Sequence, residues 1–323
     1  MRGSLSIVAF AAYLAFNTAP AAAYTTLFAF GDSLSDAGNL FDLTGIPGSP
    51  YVGGHFSNGP TWVEDLSQGL GLGTLTASQS GGTDFAVGGA TTGSASPIDL
   101  NYQVTAFEAY ALAAKLSEAT LNGALFTLDI GANDILDALS DPSTAAAVVT
   151  AAANCAAAEV DELYYADGAR SLLYYEVPQL GLTPDIEALG SAAQMLADAL
   201  AQSFNATLLS DLTSIESGAS PLKVFTLDTY DLLGDIVGDQ QRYGFANVTD
   251  PCIDTPACVT ATPSVQDTYL FWDGLHPTEG GQMVTAELAY ALVAPEPSTW
   301  AMMLVGFAGW RARRPAATSR LGA

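Results

Sequence analysis

Histidine is almost missing from this chain of 323 residues: His55 and His276 are the whole supply, alongside three cysteines, Cys155, Cys252 and Cys258. A set so small and scattered assembles no zinc-type ligand spacing, so no metal is expected. Basic residues are scarce as well, with nine Lys+Arg against 34 Asp+Glu and a formal charge of -25. Five of the nine (Arg2, Arg311, Arg313, Arg314 and Arg320) sit at the two ends, leaving Lys115, Arg170, Lys223 and Arg242 inside. Nucleic acid and anionic membrane surfaces are bound through clustered Lys and Arg, so neither is expected as a partner of the central region. Lack of apolar residues is not among the shortages. At 49% hydrophobic the chain can bury a core, and disorder is not its default.

The first residues run Met1-Arg2, an apolar stretch Leu5 to Phe16, then Pro20-Ala21-Ala22-Ala23. That charged, apolar, small-residue order is a secretory signal, with cleavage expected after Ala23. Export makes disulfides possible. Cys252 and Cys258 share one Pro- and Asp-containing loop and are candidates to pair, whereas Cys155, in the Ala-rich Thr150 to Glu159 segment, reads as a buried thiol.

Strand-like runs recur at Thr25 to Phe30, Leu125 to Ile130, Ser171 to Val177 and Lys223 to Leu227. Helical stretches lie between them. Ser191 to Leu212 is the clearest, with Leu196, Leu200, Phe204 and Leu208 forming one apolar stripe, and Leu100 to Ala119, Thr144 to Ala166 and Thr278 to Leu292 follow. Short apolar strands alternating with helices predict an α/β domain whose parallel sheet is covered on both faces. Neither an internal repeat nor an interior linker divides it, so a single domain is expected over residues 24–294.

A serine hydroxyl becomes a nucleophile when a base takes its proton, and imidazole is suited to the task near neutral pH. Ser33 follows the first strand, and His276 closes Asp273-Gly-Leu-His276-Pro277. Asp273 is placed to orient the ring and stabilise the imidazolium, the third role of a triad. Asn133 follows the second strand as Ser33 follows the first, and open parallel sheets gather their sites beyond the carboxyl ends of the strands.

Gly31-Asp32-Ser33-Leu34, Phe85-Ala86-Val87-Gly88-Gly89-Ala90-Thr91, Gly131-Ala132-Asn133-Asp134 and Asp273-Gly274-Leu275-His276-Pro277 stand in this order along the chain. Together they resemble the four blocks of the GDSL, or SGNH, hydrolase family, over roughly residues 25 to 292. The resemblance implies a three-layer α/β/α sandwich and a cofactor-free lipase or esterase. Ser33 is similar to the family's nucleophile and first oxyanion-hole donor, Gly88 to the second donor and Asn133 to the third; His276 resembles the general base and Asp273 its orienting acid. Two positions depart from the family pattern: Asp84 stands where many relatives have asparagine, which is expected to loosen that loop, and His55 stands where an arginine is common. His55 is read as a surface or hydrogen-bonded residue without a catalytic part. Asp32, Asp36 and Asp134 are read as helix caps or loop acceptors, Gly89 as turn geometry, and Asp228, Asp231, Asp235 and Asp239 as a solvated helical face.

Pro295-Glu296-Pro297, an apolar run through Trp310, then Arg311, Arg313 and Arg314 resemble a PEP-CTERM sorting tail over residues 295–323. That tail implies an exosortase-type processing enzyme in a Gram-negative envelope, with membrane contact through the tail alone. The expectation is therefore an exported ester hydrolase cleaving acyl esters of a lipid or small alcohol through an acyl-enzyme on Ser33. Two alternatives stay open: a polysaccharide O-acetyl esterase, and a noncatalytic glycan-binding surface protein on the same fold.

Overall fold

The computed structural model describes residues 24–218 and 222–294, and the expected signal segment and sorting tail lie outside the described residues. Residues Tyr24–Val293 form one compact unit. At its centre are four parallel strands, β1 Leu27–Gly31, β2 Leu125–Asp129, β3 Ser171–Tyr175 and β4 Lys223–Leu227, hydrogen-bonded in the order β1-β2-β3-β4.

Alternate side chains of each strand enter two separate cores, as the two-residue period of a strand requires. Phe28, Phe30, Phe126, Leu128, Leu172 and Tyr174 pack beneath the helices Leu100–Ala114, Ala145–Tyr165 and Ser191–Gly218. On the other face Leu27, Ala29, Leu125, Leu173, Tyr175 and Leu227 meet the helices Trp62–Gly69 and Glu279–Val293. The result is the expected α/β/α sandwich, with both faces of the sheet covered. The apolar strand runs follow from that double coverage.

Helix boundaries differ from expectation in two instructive places. The stretch Leu100 to Ala119 is not one helix: it stops at Ala114, Lys115 adopts φ 54, and Ser117 caps a second short helix, Glu118–Asn122. A left-handed lysine is uncommon, so no glycine marked the break. The helix from Ser191 continues past Leu212 to Gly218. Cys155, expected to be buried, is exposed; the inward stripe of its helix runs through Ala152, Ala153, Ala156 and Val160, and Cys155 falls on the outer side.

Buried polar side chains fix the carboxyl ends of the strands. Gln103 donates to the Gly31 carbonyl (2.7 Å) and accepts the Gly31 N–H (2.9 Å), which satisfies the backbone where β1 ends. Asn205 accepts from the Tyr174 hydroxyl (2.8 Å) and the Val177 N–H (2.9 Å), tying the Ser191–Gly218 helix to the end of β3. Burial of such groups is tolerable because they are hydrogen-bonded.

Candidate active site

Ser33 sits on a turn just past β1. The Asp32 N–H still reaches the β2 carbonyl of Asp129 (3.0 Å), and Ser35 and Asp36 then turn back to the Asp32 carbonyl (3.3 and 3.1 Å). The side chain of Asp36 is buried and accepts backbone N–H bonds from Gly38 (2.8 Å), Asn39 (2.5 Å), Leu40 (3.1 Å) and Gly88 (2.7 Å). One carboxylate thus joins the turn that carries Ser33 to the segment that carries Gly88 and Gly89. Asp84 does similar work: it accepts from Ala37 (2.7 Å) and Ala86 (3.1 Å), while Asn39 donates to the carbonyls of Asp84 (2.9 Å) and Ala86 (2.8 Å). The loosening expected at Asp84 is therefore not what is found. Its carboxylate is wholly buried and fastens the loop.

The histidine loop meets this turn across 243 residues of sequence. His276 Nε2 lies 2.7 Å from Ser33 Oγ, and Nδ1 lies 2.8 Å from Asp273 Oδ2 and 3.0 Å from Oδ1. Asp273 Oδ1 also accepts the backbone N–H groups of Leu275 (2.8 Å) and His276 (2.7 Å). Burial pushes the Asp273 carboxyl up, but the bond and charge of His276 and the two backbone donors outweigh it and hold it at about 2. An ionised Asp273 fixes the proton on Nδ1, so Nε2 has a lone pair for the Ser33 hydroxyl. Phe56 covers the imidazole, ring centroids 5.1 Å apart.

A disulfide joins Cys252 and Cys258 beside this loop. Cys252 N–H donates to Phe271 O (3.0 Å), Ile253 N–H to Trp272 O (2.9 Å), and Trp272 N–H to His276 O (2.8 Å). The cross-linked segment therefore braces the backbone that leads into Asp273.

The three expected oxyanion donors do not all face the site. The N–H of Gly88 is given to Asp36, and a Cβ at position 88 would collide with the Phe56 ring. Gly88 is a packing and tethering position, which corrects the reading of it as a donor. The adjacent Gly89, at φ +81, lines the cavity beside Ser33, and its N–H has no acceptor among the described residues. Ser33 N–H likewise has none. Asn133 lines the same cavity; one amide hydrogen goes to the Ala90 carbonyl (2.9 Å), and the nearest acceptor for the other is Asp32 at 3.4 Å. Asp32 is fully buried, and burial followed by the charge of Asp129 pushes its carboxyl well above the ordinary range.

The cavity has a volume of about 260 Å³ and is lined by Ser33, Asn133 and His276. Leu136, Leu180, Leu232, Leu233, Ile236 and Phe271 make its walls mostly apolar. Three of them belong to the helix Thr229–Gly238, whose outward residues Asp228, Asp231, Asp235 and Asp239 are exposed, as expected for a solvated face. The inward side of this helix was not expected from the sequence, although Leu232, Leu233 and Ile236 stand at helical spacing. Among the described residues no His, Cys, Asp or Glu group is arranged to hold a metal ion.

His55 lies away from the reacting atoms and pairs with Glu64 at 3.1 Å. Burial lowers the basicity of its ring, and the bond and charge of Glu64 outweigh that and raise it. Glu64 also accepts the Thr61 N–H (2.8 Å), closing the cap of the helix Trp62–Gly69. Asp134 accepts from the N–H (3.0 Å) and hydroxyl (2.8 Å) of Thr92 and so acts as a loop acceptor.

The family model described as GDSL-like Lipase/Acylhydrolase matches residues 27–289. The chain belongs to that family. It is 27% identical to a GDSL esterase/lipase of Arabidopsis thaliana over 84% of this chain and 88% of that protein. Lipase 1 of Photorhabdus luminescens is 35% identical over 51% of this chain, which spans 24% of that protein. The Axe2 acetylxylan esterase from Geobacillus stearothermophilus aligns in structure at a TM-score of 0.45 and 12% identity, covering 84% of this chain and 95% of that one. Membership makes this chain a carboxylic ester hydrolase at the level of the family.

Proposed function

We propose that this protein is an exported esterase or lipase that cleaves esters of apolar acyl chains through an acyl-enzyme on Ser33. The observation that carries this reading is the relay from Ser33 Oγ through His276 to Asp273, with bonds of 2.7 and 2.8 Å, whose Ser33 and His276 line an apolar cavity. As Oγ adds to the ester carbonyl, its proton passes to His276 Nε2, and the imidazolium is held by Asp273. The same proton then goes to the leaving alkoxide, which departs as the alcohol. Water repeats the sequence on the acyl-enzyme and releases the acid.

Negative charge on the carbonyl oxygen needs donors already in place. The N–H groups of Ser33 and Gly89 and the second amide hydrogen of Asn133 are assigned to that task, each contributing about 3 kcal/mol of transition-state stabilisation. Gly89 replaces Gly88 because its N–H is uncommitted and it lines the cavity.

The cavity favours a chain over an acetyl group. A water takes roughly 30 Å³ of the liquid, so about 260 Å³ is several times what an acetyl group fills. Burying one methylene is worth about 0.8 kcal/mol, which predicts a rise in kcat/KM of about fourfold per added carbon until the cavity is full. The charge of -25 favours neutral or zwitterionic esters over anionic ones. Export, removal of the first residues by signal peptidase and exosortase-type processing of the tail rest on the sequence patterns at the two ends.

The test is a panel of acetyl, butyryl, octanoyl and longer acyl esters, a phospholipid and an acetylated glycan, run with the wild-type protein and Ser33→Ala. Turnover that grows with acyl length and disappears in Ser33→Ala is expected. Preference for the acetylated glycan would establish the O-acetyl esterase alternative. Equal inactivity of both proteins on every ester would overturn the enzyme reading and leave the glycan-binding one.

A further inference from the structure

Tyr51 belongs to none of the four motif blocks, yet its hydroxyl donates to Asp273 Oδ2 at 2.7 Å. This is the oxygen that also receives the shorter bond from His276 Nδ1, at 2.8 Å. The two carboxylate oxygens are therefore held differently. Oδ1 is fixed by two backbone N–H groups of its own loop, and Oδ2 is fixed by one side chain reaching across 222 residues of sequence.

We propose that Tyr51 is a positioning residue for the ester hydrolysis, acting through Asp273 to hold the His276 ring in line with Ser33. The inference rests on the proposed hydrolase reading of the same site. Without the phenol, Oδ2 keeps a single partner, and the carboxylate can rotate about the axis that the Leu275 and His276 N–H bonds leave free. Rotation changes the direction in which Nδ1–H points, and the ring follows. The phenol also spreads the charge of Oδ2, so the carboxylate draws less on the imidazolium proton and leaves it easier to pass to the departing alkoxide.

Tyr51 is held for this purpose from three sides. Its ring meets Trp272 and Phe56 edge-on, centroids 6.3 and 6.2 Å apart. Both neighbours already touch the machinery, since Trp272 precedes Asp273 and Phe56 covers His276. The loop that bears it is tied to the histidine segment a second time, where Ser57 Oγ–H donates to the Pro277 carbonyl (2.9 Å). Burial first, and then the Asp273 bond and the charges of Asp273, Asp254 and Asp185, make the phenol harder to ionise. No cation faces it among these groups. It stays a donor throughout the range in which an ester hydrolase is assayed.

Tyr51→Phe removes the hydroxyl and keeps the ring between Trp272 and Phe56, so the full-length variant is expected to fold. A hydrogen bond to a charged group carries enough energy to change kcat by about tenfold. The expected result is that loss in kcat for a butyryl ester with KM little changed. The low-field proton NMR signal of His276 Nδ1–H, observable without substrate, should move as well. Tyr51→Leu, which also removes the ring packing, should lose more activity together with thermal stability.

Unchanged kcat and resonance in Tyr51→Phe would overturn the positioning role while wild-type turnover leaves the hydrolase reading intact. Absence of turnover in the wild type would overturn the hydrolase reading and the positioning role with it, and a resonance that Tyr51→Phe still shifts would then show only that the phenol is tied to Asp273.

Discussion

The two halves of the site are held by different means. Around Ser33 the fastening is backbone donors converging on buried carboxylates: Asp36 alone collects N–H groups from residues 38, 39, 40 and 88. Around His276 it is side chains and a cross-link from distant parts of the chain: Tyr51, Phe56, Ser57 and the disulfide loop at Cys252. The nucleophile thus inherits its place from the end of strand β1, whereas the base stands on a loop and has to be braced. Damage to the first half should therefore cost folding more than chemistry. Damage to the second should cost chemistry more than folding.

Asp273→Asn gives the largest effect on that scale. The amide keeps the shape and part of the hydrogen bonding, but it no longer stabilises the imidazolium and favours the wrong ring tautomer. By analogy with other triads kcat should fall about 10³- to 10⁴-fold. The loss of folding stability should be of order 2 kcal/mol, smaller than the loss of transition-state stabilisation. Steady-state rates and urea titrations on one preparation measure both, and a variant that keeps more than a tenth of the wild-type kcat would remove Asp273 from the chemistry.

Asp36→Ala is the opposite case. It strips the acceptor from several N–H groups at the buried turn, and a buried donor without a partner costs about 1 to 3 kcal/mol. Water entering the vacated space can serve some of them, so a loss of about 3 kcal/mol is expected from urea unfolding. If Asp36→Ala unfolds like the wild type, the turn that carries Ser33 is held by something other than this carboxylate. Asp36→Asn, which retains one oxygen acceptor, should recover part of the loss.

How much of this was legible in the sequence follows the same division. Ser33, Asn133, Asp273 and His276 were readable because each lies in a short motif whose local turn chemistry is written in adjacent residues. The sheet was readable because strands buried on both faces are short uninterrupted apolar runs. Gly88 and Gly89 are neighbours of one type, and only the direction of each N–H tells the tether from the uncommitted donor; sequence holds no record of that direction. Tyr51 lies 222 residues from Asp273, and nothing local distinguishes it from other loop tyrosines. Leu232, Leu233 and Ile236 were hidden by the acidic residues between them, which drew attention to the solvated side of their helix. The Lys115 break was missed because the left-handed residue is not the glycine that usually ends a helix.

The smallest effect comes from pH, and it separates the halves by sign. Burial raises the carboxyls of Asp32, Asp36, Asp84 and Asp129 near Ser33 above the ordinary 3.8. Between 3.8 and those raised values the folded state holds more protons than the unfolded one, so its stability falls as pH rises toward neutrality. Asp273 behaves oppositely, because its folded value of about 2 lies below 3.8. Its contribution, of order 2 kcal/mol, is present above about pH 4 and is lost as pH falls toward 2. The high negative charge of the whole chain adds to the first trend, since self-repulsion weakens on acidification. Urea unfolding should therefore be hardest between about pH 4 and 5 and easier both at pH 7 and at pH 3. Asp273→Asn should flatten the acid side of that curve and lower the neutral side without changing its slope. If stability rises steadily from pH 4.5 to 7, the buried carboxylates around Ser33 do not act on folding as their burial implies.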